Sequence, residues 1–223
     1  MNLSVVLPVY LPAPWLLPMA RCAIETLKCT TSIEFELIVV ETGSTYLLNF
    51  PGVDTHIYVE KRENPTADIN QGVRAAHGDW IVYTGTDVFV RPDWLVSLSK
   101  CFAIADCGTA TIGATELKQE WSQGVTEGIY HAFFAFRRGF EFDAENFPCA
   151  FADSDLMMQV AHSGLRSYRC CEALCYHLVG QTFQAEGAPT HGPTFDEAKA
   201  AFRRKWGASP LLMYRILNEG HRY

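Results

Sequence analysis

The chain has 223 residues, a formal net charge of −7, and 48% hydrophobic against 19% charged residues. That is enough for one sizeable core and not for two. The acidic balance argues against broad nucleic-acid binding, which needs Lys and Arg to neutralise phosphates, although a local basic groove or a nucleic-acid acceptor stays open.

No stretch approaches the roughly 20 apolar residues of a membrane-spanning helix. Met1-Asn2-Leu3-Ser4 lacks the basic start and small-residue cleavage site of a signal peptide. The eight cysteines are then expected to stay reduced, in a soluble cytoplasmic protein. Cys170, Cys171, Cys175 and His177 have the look of zinc ligands, but no second Cys-x-x-Cys pair accompanies them, and buried thiols are the better reading.

In chain order, Leu3 to Leu7 is a short β run closed by Pro8. Trp15 to Leu27 carries apolar residues at helical spacing. Phe35 to Val40 reads as a buried strand ended by the turn chemistry of Glu41-Thr42-Gly43-Ser44. His56 to Val59 is a weaker strand, about 67–77 a helix, and Trp80 to Thr84 a buried strand. This β-α-β-β-α-β order implies parallel strands with right-handed crossovers. The second half has a helix over Pro92 to Ala105, a strand at Thr109 to Ala114 and a long loop from Glu116 to Tyr130. An aromatic strand at His131 to Phe136 and a helix at Asp153 to His162 follow. Ser167 to Leu178 has strand character, Gln181 to Pro193 is a loop that could close over a site, and Phe195 to Trp206 is an amphipathic helix. One mixed α/β domain is the simplest organisation.

Gly78 to Val88 is the most informative segment. Its apolar strand stops at small residues and one carboxylate, so Asp87 falls at the crevice edge of an open α/β sheet, where ligands bind. A metal-bridged phosphate and a simple helix cap are the two readings of a carboxylate there.

Several segments together resemble the inverting family 2 glycosyltransferases. Ser4-Val5-Val6-Leu7-Pro8-Val9-Tyr10 is similar to that family's opening strand and Pro-x-Tyr loop. Glu34 to Ser44 resembles its second strand, and Asn64, Asn70, Gly72, Ala76 and Gly78 its spaced Asn/Gly/Ala/Gly pattern. Ala152-Asp153-Ser154-Asp155-Leu156 with Gly164 resembles the acidic helix start, His177-Leu178-Val179-Gly180 the later His segment, and Phe202 to Trp206 the closing helix. The resemblance implies a single GT-A, Rossmann-like domain over 1–223, with a mostly parallel sheet flanked by helices and a smaller antiparallel element in the C-terminal half. Residues 1–90 would bind the nucleotide sugar and 91–223 the acceptor, a glycan or other hydroxyl compound.

It also implies roles. Asp153 is the general base, with Asp155 as the alternative, although Asp153 is equally placed to be an N-cap. Asp87 and His177 hold Mn²⁺ or Mg²⁺ against the diphosphate of a UDP- or dTDP-linked donor, unless His177 is simply a partly buried histidine at a strand end. Pro8, Val9 and Tyr10 line the base (or Tyr10 belongs to the core), Glu41 or Thr42 bonds base or ribose, and Asn70 and Thr86 reach ribose or phosphate.

Three departures accompany the match. Gly85-Thr86-Asp87 keeps only the last acid of the family's Asp-x-Asp, Glu41-Thr42 keeps one of two paired acids, and Ile69 stands where many members have Arg. These motivate a second reading, a degenerate protein that binds a nucleotide sugar or a partner without turnover. A nucleotidyltransferase is a third, but Val9 to Leu17 lacks the Gly-rich phosphate loop that reaction normally uses.

Overall fold

Strand β1 (Leu3–Tyr10) is apolar on both faces, as a strand covered on two sides must be. Val5, Leu7 and Val9 enter one core and Val6 the other. The computed structural model describes residues 2–43, 48–104, 110–112, 133–165, 168–170, 173, 175–178, 180–187 and 193–207. After β1 come α1 (Leu16–Cys29), β2 (Glu36–Thr42), β3 (Thr55–Val59), α2 (Pro65–Ala75), β4 (Trp80–Thr84), β5 (Val88–Val90) and α3 (Trp94–Ile104). The second half contributes β6 (Ala110–Ile112), β7 (Phe133–Arg137), α4 (Ala152–His162), β8 (Tyr168–Cys170), β9 (Cys175–His177), α5 (Gln181–Glu186) and α6 (Pro193–Trp206).

Seven strands form one sheet in the order β3-β2-β1-β4-β7-β6-β8. The pairs β1/β2, β1/β4, β2/β3 and β6/β8 are parallel, and β7 runs against both of its neighbours. A separate antiparallel pair, β5 with β9, is the smaller element. The mostly parallel α/β architecture expected from the sequence is therefore the observed one.

Helices α1 and α3 cover one face of the sheet through Ala20, Ile24, Leu27, Trp94, Leu95, Leu98 and Phe102. Helices α2, α4 and α6 cover the other through Ile69, Val73, Leu156, Met158, Ala198 and Phe202. Helix α2 begins two residues before its predicted start because Asn64 caps it, accepting the Ala67 N–H at 2.8 Å, with Pro65 in the first turn. It lies tight on the sheet: a Cβ on Gly72 would come within 2.4 Å of Val6 Cγ1, so only glycine allows this approach.

Some boundaries differ from expectation. Pro8 does not close β1, which pairs with β4 only through Val6 but with β2 to Tyr10. A proline is tolerated where one of a strand's two ladders has ended. The region from Gln181 is partly helical: α5 occupies six residues between Gly180 (φ 78°) and Gly187 (φ 65°). Left-handed glycines at both ends limit it to little more than one turn. The strand-like run at 167–178 divides between the two sheets as β8 and β9. Strand β5 was not anticipated, being too short for a period to show. The predicted loop at 116–130 lies outside the described residues.

Candidate active site

The site is built where β1, β2 and β4 end side by side. At the β1–β2 end, the guanidinium of Arg62 lies 3.8 Å above the centre of the Tyr10 ring. Arg62 Nε donates to Asp68 Oδ2 at 3.3 Å, and Thr42 Oγ1 donates to the same oxygen at 3.0 Å. Burial pushes the Asp68 carboxyl above its usual range, against the pull of Thr42 and Arg62. Its Oδ1 is buried without a hydrogen-bond partner. The other side of the guanidinium reaches across to α5, where Nη1 meets Glu186 Oε1 at 3.5 Å. Arg62 and Asp68 were not among the residues predicted. Arg62 sits in Glu60-Lys61-Arg62-Glu63, which reads as a solvated charge run, and Asp68 as an ordinary first-turn acid.

At the β4 end, Gly85-Thr86-Asp87 turns the chain into β5, closed by the Val88 N–H to the Gly85 carbonyl at 3.3 Å. A Cβ on Gly85 would stand 2.9 Å from Asp87 Oδ1, so the glycine leaves room for the carboxylate. Strand β9 sets Val88 opposite His177, and the Leu178 N–H donates to the Asp87 carbonyl at 2.9 Å. His177 Nε2 thereby comes 3.4 Å from Asp87 Oδ1, both side chains 15% exposed. The structure brings this predicted pair together across ninety residues of sequence. No group of three His, Cys, Asp or Glu residues gathers among the described residues. One carboxylate oxygen and one imidazole still fit a divalent ion that takes its other ligands from phosphate and water.

Helix α4 supplies the third part. Its N-cap is Phe151, in the left-handed region at φ 62°, and not Asp153, which is the second helical residue. Asp153 is half-buried and accepts the Ser154 N–H at 2.7 Å. Asp155 is fully buried. Its Oδ1 takes the Trp206 indole N–H and Lys205 Nζ, each at 2.8 Å, and its Oδ2 takes Gln159 Nε2 at 2.8 Å. Asp155, expected as the alternative base, instead anchors α6 to α4 with both carboxylate oxygens engaged.

Burial, then the charges of Asp87 and Asp153 and finally Cys149, push Tyr83 well above the ordinary tyrosine range. Cys149, raised chiefly by burial, is acted on in turn by Arg62 and Glu186.

Other predicted residues are placed elsewhere. Glu41 is fully buried, its carboxylate accepting the Leu48 N–H and lying 2.9 Å from His56 Nε2. Strand alternation sends it to the α1 side, while Thr42 turns to α2. Glu41, expected to bond base or ribose, is engaged instead by Leu48 and His56. Asn70 is buried and reciprocally bonded to the backbone of Phe142, at 2.7 and 2.9 Å, so it clamps a loop and does not reach toward ribose. Val9 belongs to the α1-side core, Pro8 is half-buried, and Thr86 is buried within its turn. Cys175 is buried; the side chains of Cys170 and Cys171 lie outside the described residues.

A sheet of this order with a small antiparallel partner and a carboxylate–histidine pair at its edge defines a GT-A fold. Residues 4–104 match the glycosyl transferase family 2 model. Among solved structures it is similar to S. aureus TarS 1-349, with a TM-score of 0.60 and 15% identity over 79% of this chain and 60% of that one. The TarS 1-349 complex with UDP-GlcNAc gives a TM-score of 0.69 at 12% identity, covering 94% of this chain and 67% of TarS 1-349. The mannosyltransferase PcManGT of Pyrobaculum calidifontis, in complex with GDP-Man and Mn²⁺, gives 0.56 at 16% identity, covering 98% and 79%. Comparison with curated proteins finds no match. The chain thus spans 60% of the TarS fragment it matches. No helix among the described residues is long and apolar enough to cross a membrane.

Proposed function

We propose that this chain is an inverting glycosyltransferase that moves a sugar from a UDP- or dTDP-linked donor to an acceptor hydroxyl. The observation that carries this reading is the pairing of Asp87 with His177, 3.4 Å apart where β4 ends, in a chain whose residues 4–104 match the glycosyl transferase family 2 model. In this reading Asp87 is the diphosphate-binding carboxylate and Asp153, in the first turn of α4, the basic one. Residues 1–90 form the donor side, where Tyr10 lines the base and Thr42 bonds base or ribose. Residues 91–223 form the acceptor side.

Asp153 takes the proton of the acceptor hydroxyl as its oxygen bonds to the anomeric carbon. The bond from that carbon to the diphosphate breaks on the opposite side, its electron pair leaves with the nucleoside diphosphate, and the centre inverts. A divalent ion, when bound, neutralises the charge that grows on the diphosphate. Asp87 and His177 would hold it, and the imidazole favours Mn²⁺ over Mg²⁺. Cys22, Cys29, Cys149 and Cys175 form no disulfide among the described residues, which suits a reducing cytoplasm.

The test is incubation with UDP-, dTDP- and GDP-linked sugars and Mn²⁺ or Mg²⁺, following thermal stabilisation and nucleotide release. Binding with slow donor hydrolysis supports a transferase awaiting its acceptor. Stabilisation without any release, unchanged in Asp153→Ala, points to a non-catalytic donor-binding protein. If no donor binds, the reading is wrong.

A further inference from the structure

We propose that Arg62 is a phosphate ligand of the donor, and that Glu186 occupies its place until the donor arrives. The inference rests on the nucleotide-sugar reading above and adds a residue and a competition to it.

Arg62 follows β3 and lies flat against Tyr10, with its Nε fixed by Asp68. Asp68 is itself buried and fixed by Thr42. The guanidinium plane is therefore oriented before any ligand arrives, as planar recognition of phosphate requires. Because the ring-to-guanidinium gap is a stacking distance, this face of Tyr10 is shut to a nucleotide base. What Arg62 offers is its N–H fork.

One arm of that fork, Nη1, rests on Glu186 at 3.5 Å, the outer limit of a hydrogen bond. Glu186 is exposed, at the end of a six-residue helix bounded by left-handed glycines. An exposed, long, single-point ion pair is worth little, and a phosphate making shorter paired contacts displaces it. Arg62 also stands on the right path. It lies over Tyr10, the last residue of β1, and β4, which leads into the Asp87 turn, is the parallel neighbour of β1. A diphosphate running from a base beside Tyr10 to an ion at Asp87 passes this guanidinium.

The experiment titrates wild type, Arg62→Gln and Glu186→Gln with UDP and with uridine, with dTDP/thymidine and GDP/guanosine as parallel pairs. Loss of charged hydrogen bonds to phosphate predicts diphosphate binding about ten- to a hundredfold weaker in Arg62→Gln. Nucleoside binding should be unchanged. Removing the competing carboxylate in Glu186→Gln predicts diphosphate binding about two- to fivefold tighter, again with the nucleoside unchanged. Equal weakening of nucleoside and diphosphate in Arg62→Gln, or no change in either, overturns the proposal. Because Arg62→Gln strands the buried Asp68, Glu186→Gln serves as the independent arm. If Arg62→Gln does not fold, unchanged or weaker diphosphate binding in Glu186→Gln overturns the proposal alone. A wild-type chain that binds none of the diphosphates refutes the donor reading itself; one that binds them while both variants match it refutes only this inference.

Discussion

The two faces of the central sheet are built from the same strands yet do different work. On the α1/α3 face the core is almost entirely aliphatic and aromatic, and its buried carboxylate, Glu41, is closed off by Leu48 and His56. On the α2/α4/α6 face, buried polar groups bridge elements far apart in sequence: Thr42 to Asp68, Asn70 to Phe142, and Asp155 to Lys205 and Trp206. The first face supplies cohesion. The second supplies position, since a bonded polar group fixes direction where apolar contact fixes only proximity. Asp153 and Tyr83 belong to the second.

The sharpest way to break this contrast is to compare the two acids of α4. Asp153→Asn should lower transfer about 10²- to 10⁴-fold, the usual span for loss of a general base, while nucleotide-induced stabilisation survives. Asp155→Asn should do the reverse, lowering Tm but keeping transfer within a few-fold at temperatures where the variant is folded. Should Asp155→Asn also abolish turnover in a folded protein, the division between positioning and reacting carboxylates fails. Metal dependence gives the next largest effect. Asp87→Asn should lose the Mn²⁺-dependent part of nucleotide stabilisation seen by thermal melting, whereas His56→Gln, on the cohesive face, should keep it.

Asn70→Ala strands the backbone N–H of Phe142, whose carbonyl keeps the Ala144 N–H at 3.0 Å, and should cost about 1–3 kcal/mol in urea unfolding. A loss below about 0.5 kcal/mol, the ordinary range of surface changes, would mean the clamp is dispensable.

The smallest effect is on pH dependence, and here the signs differ within one face. Burial tends to raise the Asp143 carboxyl, but Lys205 and Asn146 outweigh it and hold it below 3.8. Its stabilisation is therefore complete above pH 3.8 and lost as pH falls through the lower folded value. Burial tends to lower Lys205, but Asp143 and Asp155 raise it above 10.5, so its share is complete below pH 10.5 and lost as pH rises beyond the folded value. Asp68 is raised above 3.8 by burial, so its stabilising share is full below pH 3.8 and fades as pH rises through the folded value. Melting curves should show wild type gaining from Asp68 on mild acidification before Asp143 reverses the trend. In Asp68→Asn the gain should vanish; its persistence would assign it to another group.

The fold was largely legible because its signals are local. Apolar runs with β-branched residues mark β1, β2 and β4, and their order with the intervening helices implies parallel pairing. The site was legible only in part. Asp87 and Asp153 could be proposed from sequence because each stands at the junction of two readable elements. Asp155 and Asn70 were misread because a polar side chain bound to a distant partner looks, in sequence, like one waiting for a ligand. Lys205 is fifty residues from Asp155, and Phe142 seventy-two from Asn70. Glu41 shows the finest resolution lost: one step along a strand exchanges faces, and no local signal says which of Glu41 and Thr42 looks toward α2. Arg62 was missed for the opposite reason, since its neighbours Glu60, Lys61 and Glu63 disguise an oriented cation as a charged surface.

The left-handed turn at Phe151 carries a last consequence. A bulky residue held at φ 62° costs of the order of 1 kcal/mol or more against an ordinary conformation. Its ring lies 4.7 Å from Phe195 and 6.3 Å from Phe202, both on α6. The closing helix thus underwrites the corner from which Asp153 projects. Partial loosening of the C-terminal helix, well short of global melting, would let that corner relax and retire the base, so gentle heating should extinguish turnover before it unfolds the sheet.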